Sequence, residues 1–143
     1  MEKETKSGKE KIVLATGKRR TAVARARVKA GLGQVTINDV PIDLVLPEYA
    51  RTKIREPLLL ADDLNQKVDI KVNARHGGVV SQADAIRQAI AKGMVEFFND
   101  EKLKKIYLDY DRSLLVYDPR RTEPHKPSRS RKGARRHKQR SKR

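Results

Sequence analysis

Apolar residues recur along most of the chain with two distinct periods, and the pattern stops at Pro119. The two-residue period comes first. Residues 12–15 form a short β-prone run. From Ala22 to Val28, Ala24, Ala26 and Val28 alternate with Arg25 and Arg27, which predicts a strand with one packed and one cationic face. Gly31-Leu32-Gly33 predicts a turn, and Val35 and Ile37 then alternate with polar neighbours as its hairpin partner. Asn38-Asp39 predicts a second tight turn into Val40-Pro41-Ile42. Pro41 has no N–H to donate, so this piece is an edge or a strand end. The clearest strand spans residues 67–75. Val68, Ile70, Val72 and Ala74 face in, while Lys67, Asp69, Lys71, Asn73 and Arg75 face out.

The helical period takes over in three places. Pro47 suits a helix's first turn, and Leu46, Ala50 and Ile54 share one face. Pro57 is expected to interrupt that helix, leaving residues 58–61 as a second short piece. After the break at His76-Gly77-Gly78, Val79, Ala83, Ile86, Ile90, Met94 and Phe97 fall at steps of three and four. They predict the main helix, with one apolar stripe lying on the sheet. Ser81 and Asp84 have the spacing of a capping box. Gly93 costs about 1 kcal/mol against Ala in a helix interior, which predicts close packing there. A last helix, residues 101–110, uses Leu103, Ile106 and Tyr107, and residues 114–116 predict a final strand. The order of elements predicts an α+β fold, a single sheet with helices packed on one side.

Charge changes this picture at both ends. Residues 119–143 contain twelve Lys or Arg, one acid (Glu123) and three prolines. Such a stretch cannot bury enough surface to offset its own ordering entropy, so it is expected as an extended arm. It carries +11 of the chain's +16, leaving +5 for the rest. Three parts follow: a disordered leader at 1–11, a globular domain at 12–118, and a basic extended tail at 119–143. Clustered cations with a pI near 10.4 point to a polyanion, in the first place nucleic acid. Within the body, Lys18, Arg19, Arg20, Arg25, Arg27 and Lys29 occur with no acid among them. A turn at Gly17 is expected to present Lys18, Arg19 and Arg20 where backbone can approach a phosphate.

Composition excludes other classes. There is no cysteine, hence no disulfide or thiolate metal site. The start lacks the apolar run of a signal peptide, and no stretch is apolar enough to span a membrane. A soluble, cytoplasmic protein without a membrane or a small-molecule substrate is expected. His76, His125 and His137 are too dispersed for a metal cluster. No nucleophile–base–orienter set is visible, so neither an enzyme nor a cofactor is expected. Two Phe and four Tyr are too few for a base-stacking platform, which leaves phosphate and shape contact with Arg as bidentate donor.

Several segments together resemble one family, the small-subunit ribosomal protein nine family. They are Gly17-Lys18-Arg19-Arg20-Thr21-Ala22 with Ala24-Arg25; Gly31-Leu32-Gly33 with Val35, Ile37 and Asn38; Glu56-Pro57-Leu58; and Gly77-Gly78 with Gln82-Ala83, Ala85-Ile86-Arg87 and Ile90-Ala91. The C-terminal part adds Asp118-Pro119-Arg120-Arg121, Glu123, Lys132-Gly133-Ala134-Arg135-Arg136 and Ser141-Lys142-Arg143. Residues 119–127 look like the archaeal branch. Asp39 and Val79-Val80 depart from the family pattern, which favours Asn-Gly and small residues there. The resemblance implies a mixed sheet like that of the second domain of ribosomal protein S-five, with a left-handed βαβ crossover against the usual rule. It implies a place in the subunit head, on the 3′ major domain of the rRNA, beside neighbouring head proteins. It also implies an arm that threads rRNA toward the peptidyl-site tRNA. The rRNA contacts are then expected on Lys18, Arg19, Arg20, Arg25 and Arg27, on Gly77 and Gly78, and on Arg120, Arg121, Lys126, Arg129, Arg131, Lys132, Arg135, Arg136 and Lys138. Ser141, Lys142 and Arg143 are expected near the tRNA anticodon stem-loop. Twenty-five extended residues reach about 80 Å.

From the residues alone, a DNA-compacting protein with a histone-like tail and an unrecognised enzyme remain competing readings. The basic face on the body favours RNA, since a histone-like tail needs no second cationic surface.

Overall fold

The structure is a computed structural model that describes residues 11–129 and 131–133. Five strands make one mixed sheet: β1 (Ile12–Arg19), β2 (Ala22–Ala30), β3 (Val35–Ile37), β4 (Val40–Pro41) and β5 (Val68–Arg75). Their spatial order is β1-β2-β5-β3-β4. β2 is antiparallel to both β1 and β5, β3 is parallel to β5, and β4 closes the short edge against β3. The helices are α1 (Glu48–Leu60), α2 (Val79–Phe98) and α3 (Glu101–Tyr110). This is the α+β class with a single sheet that the periodicity predicts.

The alternation in β2 and β5 sorts their side chains cleanly. Ala22, Ala24, Ala26, Val28, Val68, Ile70, Val72 and Ala74 are buried beneath α2, which adds Ala85, Ile86, Ala89, Ile90 and Met94 to the same core. α1 packs on α2 through Ala50, Ile54 and Leu58. The small residues let α2 sit very close to the sheet. A methyl group added at Gly17 would lie 2.0 Å from the Ala85 carbonyl oxygen, and one at Gly93 would lie 2.7 Å from Val28 Cγ2. Gly93 is therefore packed as its sequence position predicts.

Five local expectations are corrected. Residues 35–37 are not the hairpin partner of β2, because β3 runs parallel to β5 on its far side. The Asp69 carboxylate accepts the Leu32 and Gln34 N–H groups at 2.9 and 3.1 Å, which leads the chain past the end of β5. Pro57 does not end α1. It is buried, and its carbonyl accepts from Ala61 N–H at 3.2 Å and from the buried Tyr107 hydroxyl at 2.8 Å. These contacts and the buried ring outweigh a penalty of about 3 kcal/mol for proline inside a helix. Residues 114–116 form no strand. Asp111 caps a 3₁₀ turn, Arg112–Leu114, by accepting from Ser113 N–H, and Leu114 plugs into the core. Ser81 and Asp84 form no capping box, since α2 starts at Val79 behind Gly78 and has no side-chain cap. Gly17 is inside β1 rather than at a turn. The tight turn is Arg20-Thr21, with Arg20 in the left-handed region at φ 53°.

Of the leader, only Lys11 is among the described residues. Its ammonium lies 5.1 Å from the centre of the Phe97 ring and donates to the Phe97 carbonyl.

Candidate nucleic-acid interface

The face of the sheet opposite α2 carries no helix among the described residues. Its side chains are set by strand register. Arg27 is flanked by Leu14 on β1 and Lys71 on β5, Arg25 by Thr16 and Asn73, and Val23 by Lys18 and Arg75. Lys18, Arg25, Arg27, Lys29, Lys71 and Arg75 are all exposed. Alternate residues on one strand stand about 7 Å apart and neighbouring strands about 5 Å apart, so the cations form a closely spaced lattice. Asp69 is the one carboxylate within these rows. Hydrogen bonds from the Gln34 and Leu32 N–H groups hold its carboxyl below the ordinary range, with Lys29 adding to the effect at 3.7 Å. Asp39, on the β3–β4 turn, pairs with Lys71. Lys18, Arg25, Arg27 and Arg75 have no ion pair among the described residues. Self-repulsion on such a face is relieved when a polyanion covers it.

Lys71 and Arg75 join the face although sequence reasoning does not single them out. Alternation already turns them outward; what it lacks is the β2–β5 pairing that sets them beside Arg25 and Arg27.

Arg19 lies elsewhere. Its guanidinium folds toward α2 and the root of the arm, 2.6 Å from Asp118 Oδ2 and 3.9 Å from Asp84 Oδ2. Asp84 also takes Lys53 at 3.0 Å and Arg87 at 3.6 Å. Arg87, with 13% of its side chain exposed, donates to Glu56 at 2.6 Å, Asp111 at 2.9 Å and Ser113 Oγ at 2.8 Å. Desolvation works against its charge, but Glu56, Asp111 and Asp84 outweigh it and raise the Arg87 pKa. Burial also opposes the charge of Asp111, yet hydrogen bonds from Ser113 and the nearby Arg87 hold its carboxyl below the ordinary range. The buried Gln88 completes the set, accepting Lys18 N–H at 2.9 Å.

Beyond Asp118 the arm is exposed through Arg129. Arg120 lies bidentate on Asp118, and its side-chain and backbone hydrogen bonds hold that carboxyl well below the ordinary range. Arg121 donates to the Tyr117 hydroxyl at 3.1 Å. Arg129, Arg131 and Lys132 are exposed around a turn at 127–129. Arg135, Arg136, Lys138, Ser141, Lys142 and Arg143 lie outside the described residues. Gly77, at φ 70°, packs its backbone against Ala22, whereas a methyl group at Gly78 would meet nothing within 4 Å.

The sequence profile of ribosomal protein S9/S16 matches residues 17–143. The chain belongs to that family. It is 53% identical over 123 residues to the small ribosomal subunit protein uS9 of Desulfurococcus amylolyticus, covering 86% of this chain and 88% of the relative. It is 49% identical over 131 residues to the protein of the same name from Methanococcus maripaludis strain C7, covering 92% and 98%. The archaeal character read from residues 119–127 agrees with these sources. As an S9-family member the chain is a structural ribosomal component that works in translation, not an enzyme. Among the described residues, no helix of this S9-family chain is long and apolar enough to cross a membrane.

Proposed function

We propose that this S9-family chain holds the rRNA of the small-subunit head, on its 3′ major domain, through the bare face of its sheet and through its arm. The body contacts are Lys18, Arg20, Arg25 and Arg27, joined by Lys71 and Arg75, with the Gly77-Gly78 backbone beside them. The arm contributes Arg121, Lys126, Arg129, Arg131, Lys132, Arg135, Arg136 and Lys138. Ser141, Lys142 and Arg143 reach the anticodon stem-loop of the peptidyl-site tRNA. Neighbouring head proteins are the remaining partners, and the cytoplasm is the working place.

One observation carries the reading: among the described residues, a sheet face bare of helices with six exposed cations, whose one carboxylate is already engaged by the Leu32 and Gln34 N–H groups. No aromatic platform accompanies them, so the contacts go to phosphates and to the shape of the folded RNA.

The test is binding of the full chain to small-subunit rRNA across salt, with duplex DNA as competitor. Arg25→Gln with Arg27→Gln should weaken binding and reduce the salt slope by roughly 0.7 to 0.9 for each phosphate no longer neutralised. An unchanged slope overturns the sheet-face assignment, and equal competition by duplex DNA favours a DNA-compacting protein. Deleting residues 141–143 should leave subunit assembly intact and weaken tRNA retention. Unchanged tRNA affinity across salt removes the tRNA role.

A further inference from the structure

Arg19 and Asp118 meet where the basic arm leaves the body. The end of β1 delivers Arg19, and Asp118 stands immediately before Pro119. The two side chains are only 19% and 20% exposed. Arg19 Nη1 is buried and faces Asp118 Oδ2 at 2.6 Å, in an orientation too poor for a hydrogen bond, so charge alone holds the pair. Asp118 in turn binds Arg120 on the arm through Nε and Nη2, and accepts its N–H at 3.0 Å. Behind Arg19, Asp84 is fixed by Lys53 and Arg87. A continuous line of charges therefore runs from α1 and α2 through Arg19 and Asp118 to the second residue of the arm. Leu114 is the last fully buried residue before it and Leu115 the last apolar side chain packed on the core, so among the described residues the Arg19–Asp118 pair is the tie nearest the arm.

We infer that Arg19, Asp118 and Arg120 form a clasp that sets the direction in which the arm leaves the body, and that Arg19 is a positioning residue rather than a phosphate ligand. Local chemistry supports the division of labour. Among the described residues Arg25 and Arg27 stand on the open face without counter-charges, whereas Arg19 is turned away from that face into a recess where Asp84, Asp118 and Asp111 alternate with Lys53, Arg87 and Arg120. In that recess Arg19, Lys53, Arg87 and Arg120 are already paired with these carboxylates, so a phosphate entering to bind them would have to displace an existing ion pair. Fixing the first residues of a long arm lowers the ordering cost of its binding, because fewer directions must be given up. Pro119 stiffens the same point.

The test needs no RNA in its first step. The chain has no cysteine, so Lys104→Cys on α3 and Thr122→Cys on the arm place one spin-label pair on exposed sites. Electron spin resonance distances should show a narrow distribution in the parent and in Arg19→Lys, which keeps the charge. Arg19→Gln and Asp118→Asn should broaden it about twofold, as expected for a linker released to sample more directions. Asp118→Asn lies beyond the last buried residue, so it reports on the clasp even if Arg19→Gln disturbs folding. Equal widths in parent and variants overturn the inference. Broadening by Asp118→Asn without Arg19→Gln overturns the part assigned to Arg19, provided circular dichroism shows the body folded. A second step separates this from the rRNA reading. As a clasp, Arg19→Gln weakens rRNA binding severalfold with an unchanged salt slope; a slope reduced by about 0.7 to 0.9 makes Arg19 a phosphate ligand instead.

Discussion

Gly17→Ala separates two accounts of one glycine. Its place before Lys18-Arg19-Arg20 invites a role in letting a phosphate approach the backbone. Its place in the fold gives a different reason. Gly17 is buried in β1 under α2, and a Cβ there would lie 2.0 Å from Ala85 O and 2.7 Å from Ala89 N. Both obstacles are helix backbone, so no side-chain rotation relieves them. Ordinary contact begins near 3.4 Å, so α2 must retreat by roughly 1.4 Å along a helix that covers three strands. Overpacking typically costs about 1 to 3 kcal/mol, and a rigid obstacle made of helix backbone places this case at or above the upper end. For a body of roughly a hundred residues, about 3 kcal/mol lowers the melting temperature by on the order of 10–20 °C. Urea unfolding followed by far-ultraviolet circular dichroism measures it directly, with binding to rRNA recorded well below the transition. The expected result is a large stability loss with rRNA affinity nearly retained in the folded fraction. Stability within about 0.5 kcal/mol of the parent, together with weakened rRNA binding, would refute the packing argument and restore the phosphate one.

Tyr107→Phe removes a buried hydroxyl that donates to the Pro57 carbonyl at 2.8 Å. That carbonyl keeps its bond from Ala61 N–H, so the loss should be near 1 kcal/mol, read as a shift in the urea midpoint. Arg87→Gln leaves Glu56 and Asp111 facing each other in a half-buried site. Removing one partner of a buried pair costs about 3–5 kcal/mol, and partial exposure brings the expectation to about 2; thermal unfolding should show it, and a neutral result would mean the network contributes nothing to stability. Acid gives a third measurement. Asp69 and Asp111 have lowered pKa values in the folded chain, so the unfolded chain takes up protons first as pH falls below about 4. Their stabilisation is complete above that pH and is lost as pH drops through the folded values. Asp69→Asn with Asp111→Asn should therefore be less stable than the parent at pH 7, and the gap should close on acidification; a gap independent of pH would contradict the assigned shifts.

What was legible in the sequence is what short-range pattern controls. The alternation in β2 and β5, the apolar stripe of α2, the tight seat of Gly93 and the single-sheet α+β class all follow from residue type and spacing. The family resemblance followed too, from ordered segments that no single motif would have carried. Tertiary structure alone decided which elements became neighbours. Periodicity says which way Lys71 and Arg75 point, but only the β2–β5 pairing puts them beside Arg27 and Arg25. Composition finds no acid between Lys18 and Lys29, yet folding brings Asp84 and Asp118 to Arg19 and Asp69 to Lys29. Pro57 reads as a helix breaker until Tyr107 is brought against its carbonyl. Each difference has one cause: side-chain direction is set by the local backbone, whereas charge neutralisation and strand partnership are set by contacts between residues far apart in the chain.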